Sequence, residues 1–271
     1  MNRKTISVLG CGWLGLPLAQ RLYNDSYSLK GSTTSADKLK KIEEPGIEPH
    51  LVILNPDVRT DDIQNFLSSK ILIVNIPPSR NEHVLELFPA QIKFLINEIE
   101  KSPIEKVLFV SSTSVYGDTN KTVTEESELN PKRDSGKALV IAEGLLRAEI
   151  TFRTTILRFG GLVGPNRQPG RFLAGRKNVS GGNAKVNLIH LDDCIEIIVG
   201  IIDNNLWGDI FNASADEHPT RKELYTKAAE KLDLETPSFT DDNGNYKIVS
   251  SQKLKAMLNY KFKYPNPMEM F

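Results

Sequence analysis

Six consecutive residues, Gly10-Cys11-Gly12-Trp13-Leu14-Gly15, place three glycines between an apolar run, Thr5-Ile6-Ser7-Val8-Leu9, and a helix-period run, Leu16-Pro17-Leu18-Ala19-Gln20-Arg21-Leu22. That spacing suits the capture of a diphosphate. A glycine at 10 permits a tight turn off a strand, one at 12 lets the main chain approach phosphate oxygens, and one at 15 lets the helix lie close on a sheet. The unpaired N–H groups of the first helical turn and the positive end of the helix dipole then meet the anion. Gly10, Cys11, Gly12, Trp13, Leu14 and Gly15 are thus candidates for holding a dinucleotide pyrophosphate; the bland alternative is a glycine turn without a ligand.

About twenty residues beyond the glycines, an NAD-selective site places a carboxylate on the ribose 2′-hydroxyl. Here the stretch reads Ser32-Thr33-Thr34-Ser35-Ala36-Asp37-Lys38, with no acid before Asp37. The hydroxyls of Thr33, Thr34 and Ser35 and the ammonium of Lys38 can donate to a 2′-phosphate instead. NADP is the expected cofactor and NAD the alternative.

Such a loop works only between a strand and a helix of a larger sheet. Apolar runs at residues 6–9, 27–31, 51–54, 71–76, 107–110 and 154–157 read as strands, several apolar at consecutive positions as in strands covered on both faces. Helix-period stretches at 14–22, 36–42, 84–100 and 136–147 alternate with them. The pattern predicts an α/β fold, a doubly wound parallel sheet of Rossmann type with a smaller interleaved C-terminal α/β substrate domain. Residues 1–160 with a return segment at about 186–212 are assigned to the dinucleotide-binding domain, and 161–185 with 213–271 to the substrate domain. In the latter, a helix is expected over 221–232, opened by Thr220 or His218-Pro219, then a polar break at 241–245, a strand at 247–249 and a helix over 250–258.

Composition narrows the function classes. The chain has 271 residues, 39% hydrophobic and 25% charged, with Lys+Arg and Asp+Glu equal at 34 each. A net charge of zero supplies no global field for nucleic acid or an anionic membrane, so selectivity must come from a site. The charged start Met1-Asn2-Arg3-Lys4 leads into a short strand rather than the apolar core of a signal peptide. The later apolar run at 194–202 is too short to span a bilayer. Two cysteines, Cys11 and Cys194, sit in unrelated contexts, which predicts a cytoplasmic chain without structural disulfides or a metal site.

Further motifs follow in order: Val110-Ser111-Ser112-Thr113-Ser114-Val115-Tyr116-Gly117-Asp118, Leu157-Arg158-Phe159-Gly160-Gly161-Leu162-Val163-Gly164-Pro165, Pro169-Gly170-Arg171-Phe172 and Asn187-Leu188-Ile189-His190-Leu191-Asp192-Asp193. With the glycine loop they resemble the extended short-chain dehydrogenase/reductase superfamily, most closely its atypical YeeZ-like NAD(P)-dependent epimerase/dehydratase branch. The resemblance implies that Ile76, Pro77 and Pro78, with Ser111, Phe159, Gly160 and Gly161, border the cofactor. It implies an NAD(P)-dependent oxidoreductase or epimerase/dehydratase, with Ser112 as the serine that orients the reacting oxygen; a turn-capping role is the alternative for Ser112.

The superfamily's proton donor is a tyrosine with a lysine four residues later. Matching Lys137 to that lysine puts Arg133 at the tyrosine position, whereas aligning through Glu143 puts Ser135 and Leu139 at the two positions. No tyrosine occurs between Tyr116 and Tyr225. Removal of a general acid typically lowers rate by about a hundredfold to ten-thousandfold. Tyr116 and His190 are substitutes by chemistry. His190 also fits a strand-to-helix segment in which Asp192 or Asp193 caps a helix beginning near Cys194, and that structural role is preferred.

Arg167, Arg171, Arg176 and Lys177 concentrate positive charge in one loop, with Phe172 as an apolar wall. Together with Ser112, Thr113 and Tyr116, the residues Arg167, Arg171 and Phe172 are the candidates for a small anionic substrate, such as a nucleotide-sugar. A surface loop with solvated charges is the alternative. A monomer or homodimer is expected, without nucleic-acid or membrane partners. A competing reading is a non-catalytic NADP(H)-binding regulatory module, which the missing tyrosine favours. One charge-assisted bond to the 2′-phosphate contributes about 1.5–3 kcal/mol, so calorimetry is expected to show at least about tenfold tighter binding of NADP than of NAD. Equal dissociation constants would contradict the reading of residues 32–38.

Overall fold

In the computed structural model, which describes residues 4–55 and 63–271, the first apolar run forms β1 (Thr5–Leu9), and the glycine turn leads into α1 (Gly15–Asn24). There follow β2 (Ser28–Thr33), a 3-10 turn at Ala36–Lys38, α2 (Leu39–Glu43), β3 (Glu48–Leu51), α3 (Ile63–Phe66), β4 (Ile71–Val74), α4 (Val84–Ile99) and β5 (Lys106–Ser112). The chain continues with β6 (Thr122–Val123), α5 (Asp134–Ala148), β7 (Arg153–Phe159), β8 (Gly161–Val163), α6 (Gly170–Leu173), β9 (Leu188–His190), α7 (Leu191–Asp203), β10 (Ile210–Ala213), α8 (Arg221–Glu230), β11 (Ile248–Val249) and α9 (Gln252–Leu258). Residues 1–3, part of the charged start considered above, lie outside the described residues.

Seven strands form the main sheet in the order β10-β7-β5-β4-β1-β2-β3. The pairs β1–β2, β1–β4, β2–β3 and β4–β5 are all parallel. This is the doubly wound Rossmann-type α/β sheet. All four residues of β4 are buried, as expected of a strand covered on both faces. Each such Ile, Leu or Val contributes about 1.5–3 kcal/mol by leaving water. The chain passes from β1 to β2 and β3 on one side, then to β4 on the other, so strand order reverses at β1, where ligands bind in such sheets.

The chain forms two compact units. The first comprises Met1–Ser111, Pro131–Leu157 and Ile201–Ile210; the second comprises Ser112–Asn130, Arg158–Gly200 and Phe211–Phe271. In the first, buried Ser7 donates to the carbonyl of Phe66 at 2.5 Å, and Lys30 Nζ donates to the carbonyl and side chain of Asn65 at 2.8 Å, which pins α3 to the sheet. In the second, a Cβ on Gly170 would lie 2.2 Å from the carbonyl oxygen of Ala228, so only glycine lets α6 rest against α8. Thr220 opens α8 with a capping box completed by Glu223.

Several boundaries differ from the sequence expectation for identifiable reasons. Strand β3 ends at Leu51 rather than running over 51–54, because it is the sheet's edge and its ladder with β2 stops where Thr33 meets Leu51. Strand β2 runs on to Thr33 because the carbonyl of Ser32 accepts the N–H of Cys11 and ties the strand end to the glycine turn. Helix α7 starts at Leu191, not near Cys194, and neither Asp192 nor Asp193 serves as the expected cap. The Nδ1 of His190 instead accepts the N–H of Asp192 at 3.2 Å.

Asp193 is fully buried and binds the C-terminal segment, accepting from the hydroxyl of Tyr260 (2.7 Å) and the N–H groups of Lys263 (2.7 Å) and Tyr264 (3.1 Å). Asp193→Ala removes a buried acceptor shared by three part-buried donors, and the expected loss is about 3 kcal/mol. A thermal melt is expected to show Tm lower by about 6–12 °C. An unchanged Tm would mean that this carboxylate does not hold the segment.

Candidate functional site

In the first unit the glycine loop is built by close main-chain approaches. Gly10 has φ +97°, and a Cβ there would lie 2.5 Å from the carbonyl oxygen of Asn75. A Cβ on Gly15 would lie 2.1 Å from the carbonyl oxygen of Gly10. At Gly12 a Cβ would meet nothing within 4 Å, so the loop is open where an anion would sit. The turn is pinned from both neighbouring strands: Gly10 N–H donates to Ser32 Oγ at 3.1 Å, and Asn75 Nδ2 donates to the Gly10 carbonyl at 3.1 Å. Helix α1 has no acidic residue in its first turn and no side-chain cap, which leaves its positive end available to an anion.

The other loop candidates lie as follows. Cys11 is half-buried, and burial pushes its thiol up to about 12, which makes it a packing residue rather than a nucleophile. Trp13 is half-buried and Leu14 buried. Thr33 Oγ1 accepts the N–H of Ser35 at 3.2 Å, while Thr34 and Lys38 are exposed. Ile76 abuts Gly10, with its Cγ2 at 3.1 Å from that residue's Cβ position; Pro77 is exposed and Pro78 half-buried.

Ser111 and α5 define the chemistry available beside β5. Ser111 Oγ donates to Glu143 Oε1 at 2.6 Å in a buried pair, so this hydroxyl is already committed within the protein. Ser135, Leu139 and Glu143 recur every four residues and share the face of α5 that Glu143 fastens to β5. Lys137 lies about 200° around the helix from Ser135. It is exposed and pairs with Asp134 at 2.9 Å. The registration through Glu143, with Ser135 and Leu139 at the tyrosine and lysine positions, is therefore the one that faces the sheet.

The second unit contains the remaining candidates. Ser112 is half-buried, and its Oγ accepts the N–H of Ser114 at 3.1 Å, leaving its own proton to donate. Thr113 and Phe159 are buried, Gly160 is buried and Gly161 exposed. Tyr116 is buried, its hydroxyl accepting from Arg158 at 2.6 Å and donating to Asn212 at 2.9 Å. Burial pushes its phenol up, with Arg158 opposing, and a phenol so enclosed has no proton to offer a substrate. His190 is buried, and burial lowers its pKa, with Asp192 and Asp193 opposing. With Nδ1 accepting, the ring is neutral and stacks on Tyr264 at 3.9 Å, so its 3.8 Å approach to the Asp192 carboxylate is not an ion pair.

Arg167, Arg171 and Phe172 are exposed, Phe172 at 45%, and none lines the polar cavity of this unit. That cavity, about 570 Å³, is lined instead by Lys185, Arg221 and Lys247, with Asp118, Asp242, Asn187 and Tyr246 among the others. Lys247 pairs with Asp118 at 3.1 Å, and Arg221 donates to the carbonyl of Ser180 at 2.7 Å. A second cavity of about 430 Å³ presents Glu217 and Glu223, which repel an anion. The cationic lining escaped the sequence reading because its members are scattered over residues 185–247; Asp118 and Asn187, which belong to the motifs quoted above, carried a local signal.

Comparison with known proteins agrees with this architecture. The NAD-dependent epimerase/dehydratase family matches residues 93–214. Protein YeeZ of Escherichia coli K12 is 34% identical over 271 residues, covering 98% of both chains. Among solved structures, a short-chain dehydrogenase/reductase superfamily protein from Agrobacterium tumefaciens with bound NAD is 17% identical, with a TM-score of 0.81 over 98% of this chain and 94% of that one. A UDP-glucuronic acid 4-epimerase from Bacillus cereus, in complex with UDP-glucuronic acid and NAD, is 16% identical, with a TM-score of 0.79 over 98% and 96%. The chain belongs to the YeeZ-like branch of the NAD-dependent epimerase/dehydratase family, and a nicotinamide cofactor goes with that membership. Among the described residues no helix is long and apolar enough to cross a membrane.

The two outer glycines and the middle one should separate in experiment. Gly10→Ala forces a clash in a positive-φ turn and is expected to lower stability by about 2 kcal/mol or more without any cofactor present. Gly12→Ala fills open space, so its Tm is expected to stay near that of wild type while cofactor affinity falls at least about tenfold. Wild-type affinity in Gly12→Ala would remove this loop from the nucleotide site.

Proposed function

We propose that this chain is an NAD(P)-dependent oxidoreductase or epimerase/dehydratase acting on an anionic, nucleotide-sugar-like substrate. The observation that carries the reading is the polar cavity of the second unit, where Lys185, Arg221 and Lys247 outnumber Asp118 and Asp242. Three cationic side chains against two carboxylates suit a phosphate or carboxylate group. The UDP-glucuronic acid held by the Bacillus cereus epimerase is a molecule of that class, and it supplies a probe for this site.

The dinucleotide loop fits the cofactor by its open space at Gly12 and its acid-free helix start. Gly10, Cys11, Gly12, Trp13, Leu14 and Gly15 would hold the pyrophosphate, with Thr33, Thr34, Ser35 and Lys38 holding a 2′-phosphate, which favours NADP. Ile76, Pro77, Pro78, Ser111, Phe159, Gly160 and Gly161 would border the cofactor. The bound nicotinamide supplies reversible hydride transfer. Ser112, whose hydroxyl proton is free of the Ser114 bond, would donate to and orient the reacting oxygen. Thr113 and Tyr116, the neighbouring candidates for the substrate, are buried, and the Tyr116 hydroxyl is held by Arg158 and Asn212. Arg167, Arg171 and Phe172 would contact the outer part of a substrate from their exposed loop. The chain would work as a monomer or homodimer in the cytoplasm.

A second reading has its own observation. The sheet-facing stripe of α5 presents Ser135, Leu139 and Glu143, and Lys137 is turned away into a surface pair, so α5 offers neither the tyrosine nor the lysine of an ordinary reductase. That favours a non-catalytic NADP(H)-binding regulatory module, in which nucleotide binding alone is the activity. Turnover decides between them: hydride transfer on a nucleotide-sugar panel is expected under the first reading, and tight NADPH binding with no turnover under the second. Where turnover is seen, Ser112→Ala is expected to lower kcat by about a hundredfold. Lys185→Met is expected to raise KM at least about tenfold with little change in kcat. Unchanged constants in both variants would sink the enzymatic assignment of these residues.

A further inference from the structure

Asn187 lines the cavity and is held by three hydrogen bonds, one through its carbonyl and two through its side-chain amide. Its carbonyl accepts the N–H of Gly161 at 2.8 Å. Its Nδ2 donates to the carbonyl of Lys247 at 2.9 Å, and its Oδ1 accepts the N–H of Val249 at 2.8 Å. These last two bonds do for β11 what a neighbouring strand would do. On its other edge β11 pairs in parallel with β6, where Ile248 N–H reaches the carbonyl of Lys121. A strand of two residues has too little pairing to hold its register alone, so the side-chain amide supplies the missing edge.

The consequence falls on Lys247. Its main chain is fixed by Asn187, and its ammonium is drawn to Asp118 at 3.1 Å, with the side chain only 13% exposed. On the opposite side, a Cβ on Gly160 would lie 2.9 Å from the Asn187 carbonyl oxygen, so the main chains of Asn187 and the Gly160-Gly161 turn are in direct contact. One residue thus touches the turn assigned to the cofactor, the cavity, and the strand that carries a cavity cation. Aspartate at 187 lacks the donor and leucine lacks both groups; the amide alone satisfies both partners.

We infer that Asn187 is a positioning residue that sets Lys247 for the anionic substrate and keeps it in register with the Gly160-Gly161 turn. This rests on the cavity reading given under Proposed function. Two measurements test it separately.

In ligand-free protein, amide hydrogen exchange at Val249 is expected to quicken at least tenfold in Asn187→Leu and to stay at the wild-type rate in Lys247→Met. Unchanged exchange in Asn187→Leu overturns the clasp; Asn187→Ala, which removes the amide without adding bulk, serves the same comparison should the leucine variant not fold. In calorimetry with UDP-glucuronic acid, each single variant is expected to weaken binding at least tenfold, and the double variant no more than threefold beyond the weaker single. Affinity for the nicotinamide dinucleotide is expected to stay within twofold throughout. Additive losses, or an equal loss of dinucleotide affinity, overturn the positioning role. A wild-type protein that does not take up the probe overturns the cavity reading and the ligand half of the inference, and the exchange measurement then decides on the clasp by itself.

Discussion

The first unit of this protein depends on one close approach of main chain to main chain. The carbonyl of Gly10 is wedged between the Gly15 Cα and the amide of Asn75, and no side chain fits at either glycine. Because β1 pairs on one side with β2 and on the other with β4, the loop leaving β1 is gripped from both, by Ser32 and by Asn75. The reversal of strand order opens space beyond the strand ends. The grip fixes the turn that carries Gly12, where a Cβ would meet nothing within 4 Å. Rigid placement matters here because amide donors aimed before the ligand arrives need no reorganisation to receive a charge.

The same economy of placement explains what α5 lacks. A helix packed on a parallel sheet presents one residue in every three or four to it, and Glu143 has claimed that register by its bond to Ser111. The face so defined carries serine and leucine where the superfamily carries tyrosine and lysine. Lys137 cannot be brought round without breaking a buried carboxylate–hydroxyl pair. Tyr116 is locked by Arg158 and Asn212, and His190 is committed as an acceptor at the start of α7. Ser112 accepts the N–H of Ser114 through its oxygen, which leaves its own proton outside that bond.

In the second unit, polar side chains repeatedly take the place of a missing strand or cap. Asn187 completes β11, Glu125 accepts the N–H of Asn212 at 2.7 Å on β10, and Ser251 both accepts from and donates to the main chain of Ser214. Strand β10 ends the main sheet, and an exposed edge would be open to pairing with another chain. Burial pushes the Glu125 carboxyl up, with the Asn212 N–H opposing. Asp193 does the same work for the C-terminal segment. A small unit with short strands is held by these directed bonds as much as by its apolar cluster around Val163, Leu188 and Leu224.

Local sequence was enough for everything set by short-range chemistry. The glycine spacing, the strand-helix alternation, the capped start of α8 at Thr220 and the family motifs all follow from steric freedom and from apolar periodicity over neighbouring residues. Strand ends at the sheet edge were not legible, because β3 stops where its partner stops and β10 is a strand only by virtue of lying beside β7. The direction Lys137 faces was decided by Glu143 finding Ser111, 32 residues away in the chain. The cationic cavity joins residues 118, 185, 221 and 247, whose proximity no window of sequence contains. Charge acts through space rather than along the chain, so the cavity cations Lys185, Arg221 and Lys247 lie far apart in sequence and outside the arginine-rich loop.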